Sequence, residues 1–106
     1  MASVQYDKLV RDRIPAIILA AGQRPVTDVL PETDIAAALG RKLEEEVGEY
    51  LESRSVEEMA DILEVLHGIA FHMGIPWEAV ERERIRKRDE RGGFEQGIRL
   101  LRVDRA

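Results

Sequence analysis

Apolar residues recur every three to four positions along two long stretches of the chain, and that period predicts helices. The first stretch starts at Thr33 or Asp34, either of which can cap a helix, and runs to about Leu51. At roughly 100° per residue its apolar arc holds Ile35, Leu39, Leu43, Val47 and Tyr50. The second runs from about Val56 to Met73, with Met59, Ile62, Leu66, Ile69 and Met73 on one arc and Gly74 as its stop. Ser53-Arg54-Ser55 is the short break between them. Upstream, Pro15 suits the first turn of a helix that continues through 16–21 and stops at Gly22, before a loop marked by Pro25 and Pro31. Downstream, Pro76 opens a further helix with Trp77 and Val80 turned inward, which Gly92-Gly93 ends. The tail 94–103 has no firm period, and a short strand is an option there. The pattern predicts one all-α domain over residues 1–106, a bundle of about four helices. Gly40 and Gly48 each cost a helix up to about 1 kcal/mol relative to alanine, so a closely approaching helix or ligand is the expected reason for them.

The acidic residues change this picture. Glu46 falls inside the apolar arc of the first long helix, between Leu43 and Tyr50, and Glu49 lies at its edge. Glu58 falls inside the arc of the second, with Asp61 at the edge. Each pair is spaced by three and so shares one helix face. A buried ion costs several kcal/mol unless it is compensated, and like charges resist ionising together. A divalent cation removes both penalties, and an all-carboxylate donor set favours hard ions such as Mg²⁺, Mn²⁺ or Ca²⁺. The competing reading is a solvated, glutamate-rich helix surface. For Glu58 a further competitor is a capping box with Ser55.

Composition narrows the partners. The 106 residues are 44% hydrophobic and 35% charged, with a formal net charge of −5 and no cysteine. An acidic balance argues against a broad nucleic-acid surface but leaves room for one nucleotide bound through metal ions. Without cysteine there is no disulfide and no thiolate metal site. No apolar run reaches membrane-spanning length and the N-terminus is no signal peptide, so a cytoplasmic protein is expected. The charged run ERERIRKRDER and the basic residues near the N-terminus read first as solvated faces, with phosphate binding as their alternative use. His67 and His72 are five apart, on different faces, and do not form a ligand pair.

Glu45-Glu46-Val47-Gly48-Glu49 followed by Glu58-Met59-Ala60-Asp61 resembles the EExxE…ExxD signature of the MazG-like all-α nucleoside triphosphate pyrophosphohydrolases. The segments 6–15 (YDKLVRDRIP) and 87–94 (KRDERGGF) resemble the N- and C-terminal segments of the subgroup described as phosphoribosyl-ATP pyrophosphohydrolase-like. The resemblance implies a Mg²⁺-dependent enzyme, with Mn²⁺ as an alternative ion, that hydrolyses a nucleoside triphosphate or related nucleotide between its α- and β-phosphates. The products would be a nucleoside monophosphate and pyrophosphate, in nucleotide-pool housekeeping. It assigns Glu46, Glu49, Glu58 and Asp61 as metal ligands, and Glu45 to a supporting or general-base role beside Glu46. Lys87 and Arg91 match phosphate-contacting positions, with Lys8 and Arg11 as further candidates. One strong apolar stripe on each helix leaves exposed edges in a chain of 106 residues, and this together with the resemblance predicts a homodimer or tetramer with the Met59–Met73 helix near the interface.

Two rivals stand beside this reading. A di-iron carboxylate bundle could use Glu64-x-x-His67, but those residues lie opposite the apolar stripe and no second Glu-x-x-His exists. A non-catalytic helical dimerisation module with merely solvated acids predicts no specific divalent binding.

Overall fold

The computed structural model describes residues 2–105. The protein is all-α, with four helices and no strand among the described residues. The chain divides into two compact units, residues 1–74 and 75–106. Among the described residues no helix is long and apolar enough to cross a membrane.

In the first unit, α1 (Ile14–Ala20) carries Pro15 in its first turn and ends before Gly22, whose φ of 84° only glycine adopts freely. Helix α2 spans Glu32–Ser53 and α3 spans Val56–Met73. The two-residue link Arg54-Ser55 folds α3 back onto α2, and these two helices pack on one another. Arg54 adopts the left-handed conformation (φ 53°, ψ 36°), and its N–H donates to the Tyr50 carbonyl at 2.6 Å. Ser55 caps α3, its Oγ accepting from the Glu58 N–H at 3.2 Å. Gly74 ends α3 in a left-handed cap.

The core of this hairpin is thin: Ala38, Leu39, Val65 and Ala70 are its buried apolar residues. Ile35, Leu43, Tyr50, Ile62 and Ile69 are half-buried around them. Gly68 faces Leu39 of α2, where a Cβ would stand 3.4 Å from Leu39 Cδ2, an ordinary van der Waals contact. In the second unit, α4 (Trp77–Arg91) starts after Pro76 and stops at Gly92 (φ 84°).

Several expectations need correction. Helix α2 begins at Glu32, so Thr33 and Asp34 lie in its first turn rather than capping it. Extended Pro31 (φ −58°, ψ 148°) sets the start, and Glu32 and Asp34 sit where the helix dipole favours negative charge. On α3, Met59, Leu66 and Met73 are exposed, and the face towards α2 is centred on Val65 instead. The sequence stripe followed the midline of a broad apolar arc, of which α2 covers one side. Among the described residues no neighbour comes within 4 Å of a Cβ placed at Gly40 or Gly48, so no helix of this chain approaches them closely. The tail forms no strand: a turn over Phe94–Gly97 (Gly97 N–H to Phe94 O, 3.1 Å) precedes an exposed segment without a pairing partner. Of the two residues expected to turn inward on α4, Val80 is exposed and Trp77 is half-buried.

Candidate metal centre

Two turns above the link, the hairpin brings its acidic residues together. One carboxylate oxygen each from Glu46, Glu58 and Asp61 lies within 4.8 Å of the others. Helix α2 supplies Glu46 from the turn after Leu39 and Leu43. Ser55 sets the phase of α3, so that Glu58 and Asp61 arrive on the same side as Val65. The Ser55 half of a capping box is present, but Glu58 turns its side chain into the cluster, where its Oε2 is buried without a hydrogen-bond partner.

Glu46 is the buried charged residue of the hairpin, at 7% exposure, and its Oε2 is also buried without a partner. Its other oxygen faces Lys42 Nζ at 3.4 Å. Burial raises the Glu46 pKa above the ordinary carboxylate value, with the charges of Glu49 and Asp61 adding to the effect and Lys42 opposing it. Glu58 is pushed up to about 6, again by loss of solvation first, then by the negative charges of Glu49, Asp61 and Glu46. Both shifts arise first from burial and then from the crowding of like charges.

Glu49 is exposed and outside the close trio, though near enough for its charge to raise both Glu46 and Glu58. Glu45 points to the side, where it meets Lys42 Nζ at 3.5 Å and Lys8 Nζ at 3.8 Å. Arg11 Nη2 donates to Asp61 Oδ1 at 2.7 Å. The N-terminal segment therefore reaches α2 through Lys8 and α3 through Arg11, bringing both sequence candidates to the acids. Lys42 went unnoticed in the sequence. Its signal was its spacing of three and four before Glu45 and Glu46, which is where a helix places an ion-pair partner.

The second unit holds Lys87 and Arg91. Most of the charged run on α4 is internally paired: Arg84 with Glu81 at 3.0 Å, and Arg86 with Glu83 at 2.6 Å and Glu90 at 2.8 Å. Arg88 reaches Glu95 at 2.7 Å. Lys87 and Arg91 make no ion pair among the described residues. Arg86, by its hydrogen bond, and then the charges including Lys87 and Arg91 hold the Glu83 carboxyl below its usual range.

A separate cavity of about 190 Å³ lies at the open end of the hairpin, lined by Leu39, Ile69 and Met73 among others. At its edge His72 Nδ1 stands 3.0 Å from Glu32 Oε1, so His72 is remote from the carboxylate trio. Glu64 is exposed and also outside the trio.

The hairpin has a contrasting second side. At roughly 100° per residue, Val47 and Leu51 of α2 and Met59, Leu63, Leu66 and Met73 of α3 lie away from Glu45, Glu49 and Asp61. All six are exposed.

No family model and no solved structure matches the chain. Over 42 residues it is 52% identical to an uncharacterized protein of Mycolicibacterium smegmatis (strain ATCC 700084 / mc(2)155). That similarity covers 40% of this chain and 43% of the relative, so the matched part spans less than half of either protein.

Proposed function

We propose that the protein is a divalent-metal-dependent nucleotide pyrophosphohydrolase. On this reading it cleaves a nucleoside triphosphate or related nucleotide between the α- and β-phosphates, giving a nucleoside monophosphate and pyrophosphate. The observation that carries the reading is the pair of buried, partnerless oxygens, Glu46 Oε2 and Glu58 Oε2, within a trio of carboxylates. A solvated charged face would leave its acids in water. Buried polar atoms without partners are rare and costly, which makes a missing ligand the economical explanation.

The donor set fits Mg²⁺, with Mn²⁺ as the alternative, because every donor of the trio is a carboxylate oxygen. Glu46, Glu58 and Asp61 would hold the ion, with Glu49 beside them as a further ligand. When bound, the ion would neutralise phosphate charge and lower the pKa of a coordinated water. Glu45, which the resemblance gives a supporting or general-base role and which here pairs with Lys8 and Lys42, would take up the proton of the attacking water. Arg11 and Lys8 are the nearby donors for phosphate oxygens, and the resemblance adds Lys87 and Arg91. The exposed apolar side of the hairpin supports a homodimer or tetramer. The same side would also serve a non-catalytic association module, which differs in having no specific affinity for divalent ions.

A panel of nucleoside triphosphates incubated with Mg²⁺ and resolved by chromatography tests the reaction. Monophosphate and pyrophosphate in equal amounts are expected. Diphosphate with orthophosphate, or no turnover on any nucleotide, would remove the assignment.

A further inference from the structure

The basic N-terminal segment and the acidic hairpin are in direct contact, and the terms of that contact suggest a role for it. The trio and its two acidic neighbours, Glu45 and Glu49, make five carboxylates. Three cations accompany them, Lys8, Arg11 and Lys42. Two negative charges are left over, the charge that one divalent ion supplies. The Arg11 guanidinium takes Asp61 Oδ1 at 2.7 Å, an oxygen of the carboxylate group that the proposed ion would use. A metal ion and a guanidinium on one carboxylate repel each other, so the two compete for it.

We propose that Lys8 and Arg11 are exchangeable counter-ions, covering the carboxylates until a divalent cation binds and then turning to the phosphate oxygens of the nucleotide. The proposal rests on the metal-site reading above. In it Arg11 is a positioning residue with two alternating anionic partners, Asp61 and phosphate.

The local structure suits such an exchange. The Arg11 side chain is 56% exposed and Asp61's is 32% exposed, so the pair is weak enough to open in water. The segment's backbone is fixed by other means. The Arg11 carbonyl accepts from the Ile14 N–H at 3.1 Å at the entrance to α1, and Leu9 is half-buried. Asp7, with φ 46°, turns the chain just ahead of Lys8, whose Nζ lies 5.8 Å from the centre of the Tyr6 ring. The two long cationic side chains can therefore move while the backbone stays in place. An arginine is apt for the second partner, because its fork of N–H donors matches two phosphate oxygens at once.

The alternative is a plain structural tie, in which Arg11 only pins the N-terminal segment to α3. Titration of the full-length protein with Mn²⁺ by calorimetry, without nucleotide and at low ionic strength, separates the two. Wild type is compared with Arg11→Gln and with Asp61→Asn. Exchange predicts that Arg11→Gln binds Mn²⁺ about two- to five-fold more tightly, the range expected for removing an exposed ion-pair competitor. The gain should shrink as salt is added. With Mn²⁺ saturating, the same variant should bind a non-hydrolysable triphosphate analogue on the order of ten-fold more weakly, having lost a charged donor. Unchanged or weaker Mn²⁺ binding by Arg11→Gln overturns the exchange. If Asp61→Asn at the same time loses Mn²⁺, the metal site itself stands. If wild type and both variants all fail to bind Mn²⁺, the site reading falls and the exchange falls with it.

Discussion

Replacing Glu46 with glutamine keeps the side-chain volume and removes one negative charge from the most enclosed position of the cluster. In the metal-free protein the carboxylate is 7% exposed, one oxygen lacks any partner, and Glu49 and Asp61 repel it. Against this stands one favourable contact, Lys42 at 3.4 Å, which a glutamine carbonyl can still accept in weaker form. An unmade buried hydrogen bond costs about 1–3 kcal/mol, whereas an intrahelical Glu–Lys pair contributes about 0.5 kcal/mol. Glu46→Gln should therefore stabilise the metal-free protein by about 1 kcal/mol, or roughly 4–8 °C in Tm for a chain of this size. Excess Mg²⁺ should reverse the order. Wild type gains RT ln(1 + [L]/Kd), about 2.7 kcal/mol at a hundred times Kd, and the variant gains less because its site has lost a ligand. The assay is a thermal melt of both proteins in chelator and in excess Mg²⁺, beside pyrophosphate release, which should be nearly abolished in the variant. A variant destabilised equally in both conditions would make Glu46 a structural residue, and undiminished turnover would remove it from the site altogether.

Three further outcomes are expected. Because the Glu58 carboxyl is raised to about 6 in the folded protein, above its ordinary value of 4.5, the metal-free native state binds this proton more tightly than the unfolded chain. Its contribution to stability is present below pH 4.5 and is lost as pH rises through about 6, while Mg²⁺ affinity rises over the same interval. Melts in chelator and Mg²⁺ titrations from pH 5 to 7 check both slopes, and two flat profiles would contradict them. Lys87→Ala and Arg91→Ala should each reduce turnover on the order of 10²-fold, whereas Arg82→Ala should do little; equal small effects at all three positions would return the α4 run to a solvated face. Light scattering should give a mass of two or four chains for wild type, and Leu63→Glu on the exposed apolar side should drive it towards one chain; a wild-type mass of one chain at micromolar concentration would refute the association.

Punctuation by proline and glycine made the helices legible. Pro15 and Gly22, Ser55 and Gly74, and Pro76 and Gly92 bracket three of the four elements, and the bounds of α3 agree with the sequence expectation. The inward direction of Glu46 and Glu58 was legible because periodicity put each inside an apolar arc, and each has a carboxylate oxygen buried in the cluster. The facing of α3 was less so. Its apolar residues cover more than one side of the helix, and periodicity averages over the whole arc without saying which part a neighbour will cover. The start of α2 escaped because extended Pro31, and no side-chain cap, defines it. The contact of Arg11 with Asp61 joins residues 50 positions apart. Local pattern carries no information about such a pair, although the basic character of the segment marked it as a candidate.

The link Arg54-Ser55 has a consequence for the order of folding. All three carboxylates of the trio lie between positions 46 and 61, on either side of one tight turn, so they meet through contacts local in sequence. Helices form within about a microsecond and short loops close faster still, whereas contacts between distant positions form late because they restrict more of the chain. The hairpin can thus assemble its carboxylates before the N-terminal segment has found Asp61. During that interval the repulsion among the acids opposes the closing of the hairpin, and a divalent ion in solution would favour it. Added Mg²⁺ would then act on the refolding rate as well as on the final stability.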